Sequence, residues 1–283
     1  MINIINANTD LGVHIDGANL GPNKLTKTSN AIKYNIDKDN VIKSKDKNDL
    51  KKNLVAVNNF TKKIFNKELE ILKEGNFPLL VGGDHSSVIG SALASRKYHG
   101  NIGIIWIDAH GDYNTFKTTH TGNIHGLPLA AITGYDCKEL TNFITNEYIN
   151  PKNAVIVGAR SIDPWEIGNI RNAGVTVFTT QDIKENGVQN VMDEAFKIAL
   201  NNTQGTHISY DIDVIDPIIA PGVSVPEING INDNEAYEIM NYLISRKRDI
   251  KSMDLVEFNP TRDINNKTYK IAKKILEEIL KEI

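Results

Sequence analysis

Short apolar runs alternate along this chain with segments whose apolar residues recur at helical spacing, and few folds accommodate that alternation. The runs fall at 77–81, 101–107, 154–160, 175–180, 206–216 and 250–260. Helical spacing fills 54–74, 86–98, 164–174, 188–200, 232–246 and 267–280. In the first of these, Val57, Phe60, Ile64, Leu69 and Leu72 form one stripe, and Gly75 is the expected stop. Ser86 or Ser87 is the expected N-cap of the second. In the last, Ile271, Ile275 and Ile279 stand at i, i+4 and i+8. Strands apolar on both faces must be covered on both faces. The expectation is an α/β fold: one three-layer αβα domain spanning 1–283 around a central, mostly parallel sheet. Residues 1–50 read as polar and irregular, and the charged stretch 43–53 as a solvated segment.

Composition narrows the function by exclusion. Lys plus Arg is 32 and Asp plus Glu is 35, a net charge of −3, so the basic footprint of a nucleic-acid binder is missing. The lone Cys137 excludes an internal disulfide and a Cys-rich zinc site, and it fits a reducing, cytoplasmic setting. Neither a signal peptide nor a membrane span is readable, so no membrane partner is expected.

The acids are more informative by position than by number. In parallel sheets, ligands bind beyond the carboxyl ends of the strands. There the sequence places His85 in GGDH, then Asp108, His110 and Asp112 in DAHGD, then Asp211 and Asp213 in DID, and finally Glu257. Alternate residues of an extended chain share a face, so Asp108, His110 and Asp112 are expected to converge, as are Asp211 and Asp213. Four carboxylates in one apolar-walled cleft repel one another unless cations intervene. Two divalent ions would balance them. Oxygen and imidazole donors without thiolate favour Mn2+, with Co2+ or Ni2+ as substitutes.

These motifs resemble those of a known family. GGDHS (82–86), DAHGDYN (108–114), SYDIDVIDP (209–217) and VEFNP (256–260) are similar to the four signatures of the ureohydrolases, which include arginases, agmatinases and formimidoylglutamases. The match covers about Asn76 to Pro260 in order, with weaker similarity at GANLGP (17–22) and in the terminal helix. The resemblance implies the arginase-type αβα fold and a homo-oligomer, trimer or hexamer. It implies that His85, Asp108, Asp112 and Asp211 hold one ion, and that His110, Asp108, Asp211 and Asp213 hold the other. A metal-bridging hydroxide would then attack a guanidinium carbon. Asp112 belongs to this catalytic set, with His125 as proton shuttle to the leaving amine and Glu257 as partner of the guanidinium.

The loop 113–130 is similar to that of arginases. By that likeness Asn114, Thr121, Asn123 and His125 line the substrate, the first three recognising an α-carboxylate. Asp163 in GARSIDPWE would meet the α-amino group, with Glu166 supporting it. Neutral donors for a carboxylate and an acid for an ammonium suit a zwitterion. One stretch departs from the family: IIAPGVSVPEINGI (218–231) puts Val225 where a threonine is usual and adds Glu227. Ser224 would replace that hydroxyl only if the loop shifted by one residue. The leading expectation is L-arginine to L-ornithine plus urea. Agmatine to putrescine plus urea, another guanidino- or formimino-acid substrate, and a non-catalytic metal-binding relative stay open. A deacetylase of related fold would need paired histidines, and the chain has no His-His.

Overall fold

A computed structural model describes residues 1–46 and 48–283; Lys47, inside the charged stretch 43–53, lies outside the described residues. The chain runs β1 (Ile2–Asn8), α1 (Gly21–Thr26), β2 (Ile32–Asp37), α2 (Leu54–Lys73), β3 (Phe77–Gly82), α3 (Val88–His99), β4 (Gly103–Ile107) and α4 (Pro128–Ile132). It continues through β5 (Ala154–Ala159), α5 (Pro164–Ala173), β6 (Thr176–Thr179), α6 (Thr180–Asn186), α7 (Val188–Ala199), β7 (Thr206–Asp211), α8 (Asp233–Ser245), β8 (Ile250–Val256) and α9 (Lys267–Glu282).

All eight strands join one sheet in the order β2-β1-β3-β8-β7-β4-β5-β6. Every pairing is parallel, so the sheet is more uniform than the mostly parallel one expected. Alternate side chains of each strand feed two separate cores. Ile105, Ile107, Ile208 and Tyr210 pack under α6 to α9, whereas Ile104, Trp106 and Ile156 pack under α2 to α5. Burial on both faces explains why these strands read as unbroken apolar runs. Among the described residues, no helix is long and apolar enough to cross a membrane.

Two readings of the sequence need correction. Residues 1–50 are not irregular: β1 lies inside the sheet between β2 and β3. Its asparagines hid it, and two of them, Asn6 and Asn8, bond sideways through their amide nitrogens. Asn6 Nδ2 donates to Thr26 Oγ1 (2.9 Å) and Asn35 Oδ1 (2.9 Å), and Asn8 Nδ2 to Asp37 Oδ1 (2.8 Å). The second concerns the cap: Ser87 holds the N-cap position of α3 as expected, but its side chain makes no capping bond. It is Asp84, before the preceding turn, whose carboxylate accepts from Ser86 N (3.0 Å).

A buried polar column crosses the sheet on the α2–α3 side. Ser91 Oγ donates to Asp254 Oδ1 (2.7 Å), Asp254 Oδ2 lies 2.7 Å from His207 Nε2, and His207 Nδ1 lies 2.6 Å from Ser252 Oγ. Glu68 of α2 is wholly buried beside it, neither carboxylate oxygen making a well-aligned hydrogen bond. Burial, and then the nearby Asp254 charge, push the Glu68 carboxyl well above the ordinary glutamate range.

Candidate metal centre and substrate cavity

The loops beyond β3, β4, β7 and β8 bring the expected ligands together. After β3, Gly83 runs so close to the Thr9 carbonyl that a Cβ there would collide with it, which is why the chain uses glycine. The next turn delivers His85. Its Nδ1 stands 3.1 Å from Asp108 Oδ2, 3.1 Å from Asp112 Oδ2 and 2.9 Å from Asp211 Oδ2. A second group forms alongside: His110 Nδ1 is 3.3 Å from Asp108 Oδ1 and 3.1 Å from Asp213 Oδ2. Asp108 therefore turns one oxygen to each group. Asp211 joins the first, and its Oδ1 accepts from Asp213 N (2.7 Å).

Simple alternation along extended strands is not what achieves this. Asp112 sits at φ 49° and Glu257 at φ 67°, both in the left-handed region. Asp213 lies in the single 3-10 turn Ile212–Val214. The ligands converge because the chain bends at the strand ends, where such strained backbone tends to cluster.

The electrostatics fit a cation. Burial opposes charging His85, yet the three carboxylates outweigh it and raise its pKa well above the ordinary histidine range. Burial pushes Asp211 well above the carboxylate range, reinforced by Asp213 and Asp108. Burial also pushes Asp112 up to about 6, reinforced by Asp108. His85 Nδ1 makes no hydrogen bond of acceptable geometry with the oxygens around it. His85, Asp108 and Asp211, and likewise Asp108, His110 and Asp213, each offer atoms within 4.8 Å of one another. A nitrogen lone pair and carboxylate oxygens facing one point, all buried, match the donors a divalent ion takes.

Supports around the ligands were less legible in the sequence. Trp106 read as a core residue of β4. Its ring stacks on His85 with centroids 4.0 Å apart and planes 6° apart, and its Nε1 donates to Asp108 Oδ2 (2.8 Å). Ser209 lies 2.9 Å from His85 Nε2 and leaves Nδ1 to face the acids. The wide reach of Arg160 was also missed. Its guanidinium donates to the carbonyls of Val214 (2.9 Å), Asp213 (2.8 Å), Glu227 (2.9 Å) and Ile228 (3.0 Å).

Beside the metal groups, Glu257 Oε1 accepts from His85 N (2.8 Å) and lies 3.1 Å from His125 Nδ1. Burial would raise the Glu257 pKa, but the His125 hydrogen bond and charge hold it below the usual range. Its Oε2 is buried with no hydrogen-bond partner. Burial alone would lower His125, and Glu257, Asp112 and Asp84 raise it instead.

A cavity of about 270 Å³ opens over these groups. Asn114, Thr121, Asn123, Asp163 and Glu166 all line it, as expected. Several are already engaged, however. Asn114 Nδ2 donates to Asp163 Oδ2 (3.0 Å), and Asn123 Nδ2 faces His14 Nδ1 at 2.9 Å. Glu166 is a brace. Its Oε1 accepts from Tyr113 N (2.7 Å) and its Oε2 from Asp163 N (3.0 Å), and burial pushes its carboxyl up to about 8. Val225 and Glu227 form part of the wall, and Glu227 Oε1 lies 3.8 Å from His110 Nε2. Ser224 is buried and accepts from Asn259 Nδ2 (3.3 Å), so it does not replace the missing hydroxyl.

Fold and site together define an α/β enzyme with side chains that could hold a metal gathered at the carboxyl edge of a parallel sheet. The chain belongs to the arginase family, whose model matches residues 1–281, and it is a ureohydrolase. It is 37% identical over 291 residues to the arginase of Bacillus subtilis (strain 168), covering 99% of this chain and 97% of that one. The solved arginase from Bacillus caldovelox matches it with a TM-score of 0.90 at 32% identity, covering 100% of this chain and 98% of the other. The arginase of Entamoeba histolytica, solved in complex with L-ornithine, matches with a TM-score of 0.91 at 27% identity, covering 99% and 98%.

Proposed function

We propose that this chain, acting as one domain, hydrolyses L-arginine to L-ornithine and urea with two Mn2+ ions. The observation that carries this reading is the buried, unpartnered Oε2 of an ionised Glu257 beside the metal groups. An acceptor of that kind needs a charged N–H donor, and a guanidinium supplies one with directional geometry.

His85, Asp108, Asp112 and Asp211 would hold one ion. His110, Asp108 and Asp213, with Asp211 as a shared ligand, would hold the other. Bound there, the pair supplies Lewis acidity and a water acidic enough to serve as nucleophile near neutral pH. Glu257 orients the guanidinium by accepting its N–H groups. His125, hydrogen-bonded to Glu257, whose charge favours the protonated ring, donates to the nitrogen of the leaving amine. Asp163 receives the α-ammonium, and Asn114 and Thr121 flank the carboxylate. Glu166 holds Asp163 in place. A trimer or hexamer in the cytoplasm is the expected assembly and setting.

The test is substrate choice. Manganese-loaded protein is given arginine, agmatine and guanidinobutyrate, and urea is measured. Arginine should be hydrolysed fastest; urea from agmatine but not from arginine would sink the reading. Agmatine, or another guanidino acid, is kept as a second reading because Val225 and Glu227 shape the cavity wall.

A further inference from the structure

The two metal groups are alike on one side of their histidines and different on the other. His85 aims Nδ1 at Asp108, Asp112 and Asp211, and His110 aims Nδ1 at Asp108 (3.3 Å) and Asp213 (3.1 Å). A flipped His110 ring would turn carbon toward both acids, so two contacts fix its orientation. A histidine that holds a metal through one ring nitrogen carries a hydrogen on the other, and that N–H calls for an acceptor. For His85 the partner is Ser209, 2.9 Å from Nε2. His110 Nε2 is buried and makes no hydrogen bond.

The acid that faces it is Glu227, the addition that sets this chain apart from the family pattern. Its Oε1 lies 3.8 Å from His110 Nε2, about 1 Å beyond a good hydrogen bond. A bridging water needs two bonds of about 2.8 Å laid nearly end to end, so none fits between them. The Glu227 side chain is 34% exposed, and a small torsion change closes the gap. Ser161 also reaches this carboxylate, and a carboxylate has lone pairs for both donors.

The backbone delivers Glu227 to this point. Arg160 Nη2 donates to Glu227 O (2.9 Å) and Arg160 Nε to Ile228 O (3.0 Å). Further on, Gly230 N donates to Asp216 Oδ2 (3.0 Å). A Cβ at 230 would collide with Asp216 N and Arg160 Nη2, so the close approach needs glycine. The segment that carries Glu227 is thus anchored to the chain just after β7, where Asp213 lies.

We propose that Glu227 is a positioning residue for the second ion: its carboxylate accepts a hydrogen bond from His110 Nε2, which leaves the Nδ1 lone pair for the metal shared with Asp108 and Asp213. This rests on the reading of two ions per chain.

The test titrates Mn2+ into metal-free wild type, Glu227→Ala and Glu227→Gln by equilibrium dialysis. Substrate is absent, so a contact of Glu227 with substrate cannot move the result. Wild type should take up two ions. In Glu227→Ala one of the two should bind roughly 10- to 100-fold more weakly, the usual cost of losing a partner of a metal ligand, while the other holds within about twofold. Glu227→Gln loses the charge but keeps an acceptor, and should recover part of the loss. Metal-free melting temperatures should match across the three proteins. Unchanged affinities, equal weakening of both ions, a Gln variant no better than Ala, or a loss that tracks a lowered metal-free melting temperature overturns the proposal. Wild type that binds fewer than two ions overturns the two-ion reading itself, before any variant is compared.

Discussion

Trp106 touches the candidate metal centre through two different properties of one side chain. Its indole face stacks on His85 and its N–H donates to Asp108. Trp106→Phe keeps an aromatic face and removes the donor. Manganese affinity should fall roughly 10- to 100-fold, the usual cost of losing a partner of a metal ligand, and a manganese titration followed by activity and by equilibrium dialysis would measure it. Unchanged affinity would make Trp106 mere packing. His125→Asn should behave in the opposite way: manganese stays bound while kcat drops about 100-fold or more, as for a lost general acid. An unaltered rate would remove His125 from proton transfer. The candidate ligands were legible in the sequence because chemistry restricts their identity: His85, Asp108, His110, Asp112, Asp211 and Asp213 stand in short motifs at strand ends. Trp106 and Ser209 were not legible, because a tryptophan in an apolar run and a serine in a strand each look ordinary until the fold supplies their neighbours.

At the scale of the element, α5 shows how a helix start can build a binding surface. Asp163 and Glu166 form a capping box, and Glu166 also takes the amide of Tyr113, next to Asp112. One buried carboxylate therefore ties the helix to the loop that carries Asp112, a candidate ligand. Glu166→Ala should cost on the order of 1 kcal/mol of stability and raise the arginine KM several-fold, because Asp163 loses its brace. Thermal melts and steady-state kinetics on the same preparation would check both; a melting change with KM untouched would confine Glu166 to capping. From 54 onward the strands and the longer helices were readable from period and caps, with ends within a few residues of expectation, whereas the short α4 and α6 were not expected. β1 and β2 were not. The interior strand carries the polar residues Asn3, Asn6 and Asn8, of which Asn6 and Asn8 bond sideways to α1 and β2, and β2 is an edge strand with mostly exposed or half-buried side chains. The asparagines break up the apolar run of β1, whereas β2 does alternate (Ile32, Tyr34, Ile36) but was absorbed into the polar reading of 1–50.

At the scale of the molecule, the buried Glu68 couples stability to pH. Unfolded, it releases its proton near the ordinary glutamate value of 4.5; folded, burial and Asp254 hold that proton to higher pH. The associated stability is full below that ordinary value and is lost as pH rises through the folded one. Glu68→Gln, neutral at every pH, should therefore gain melting temperature relative to wild type as pH is raised from 5 to 9, each kilocalorie being worth roughly 2 °C at this size. A difference that stays flat across that range would mean Glu68 is already ionised in the fold. Arg160 has a different consequence at this scale. By gripping the carbonyls of Asp213, Val214, Glu227 and Ile228, it fastens the 227–228 backbone to the turn after β7 that carries Asp213. Because the grip is on backbone oxygens, it is indifferent to which side chains that segment carries. With Glu227 kept, residue 225 can thus be exchanged like a bit in a fixed chuck, and a laboratory seeking new guanidino substrates could diversify it without loosening the tool.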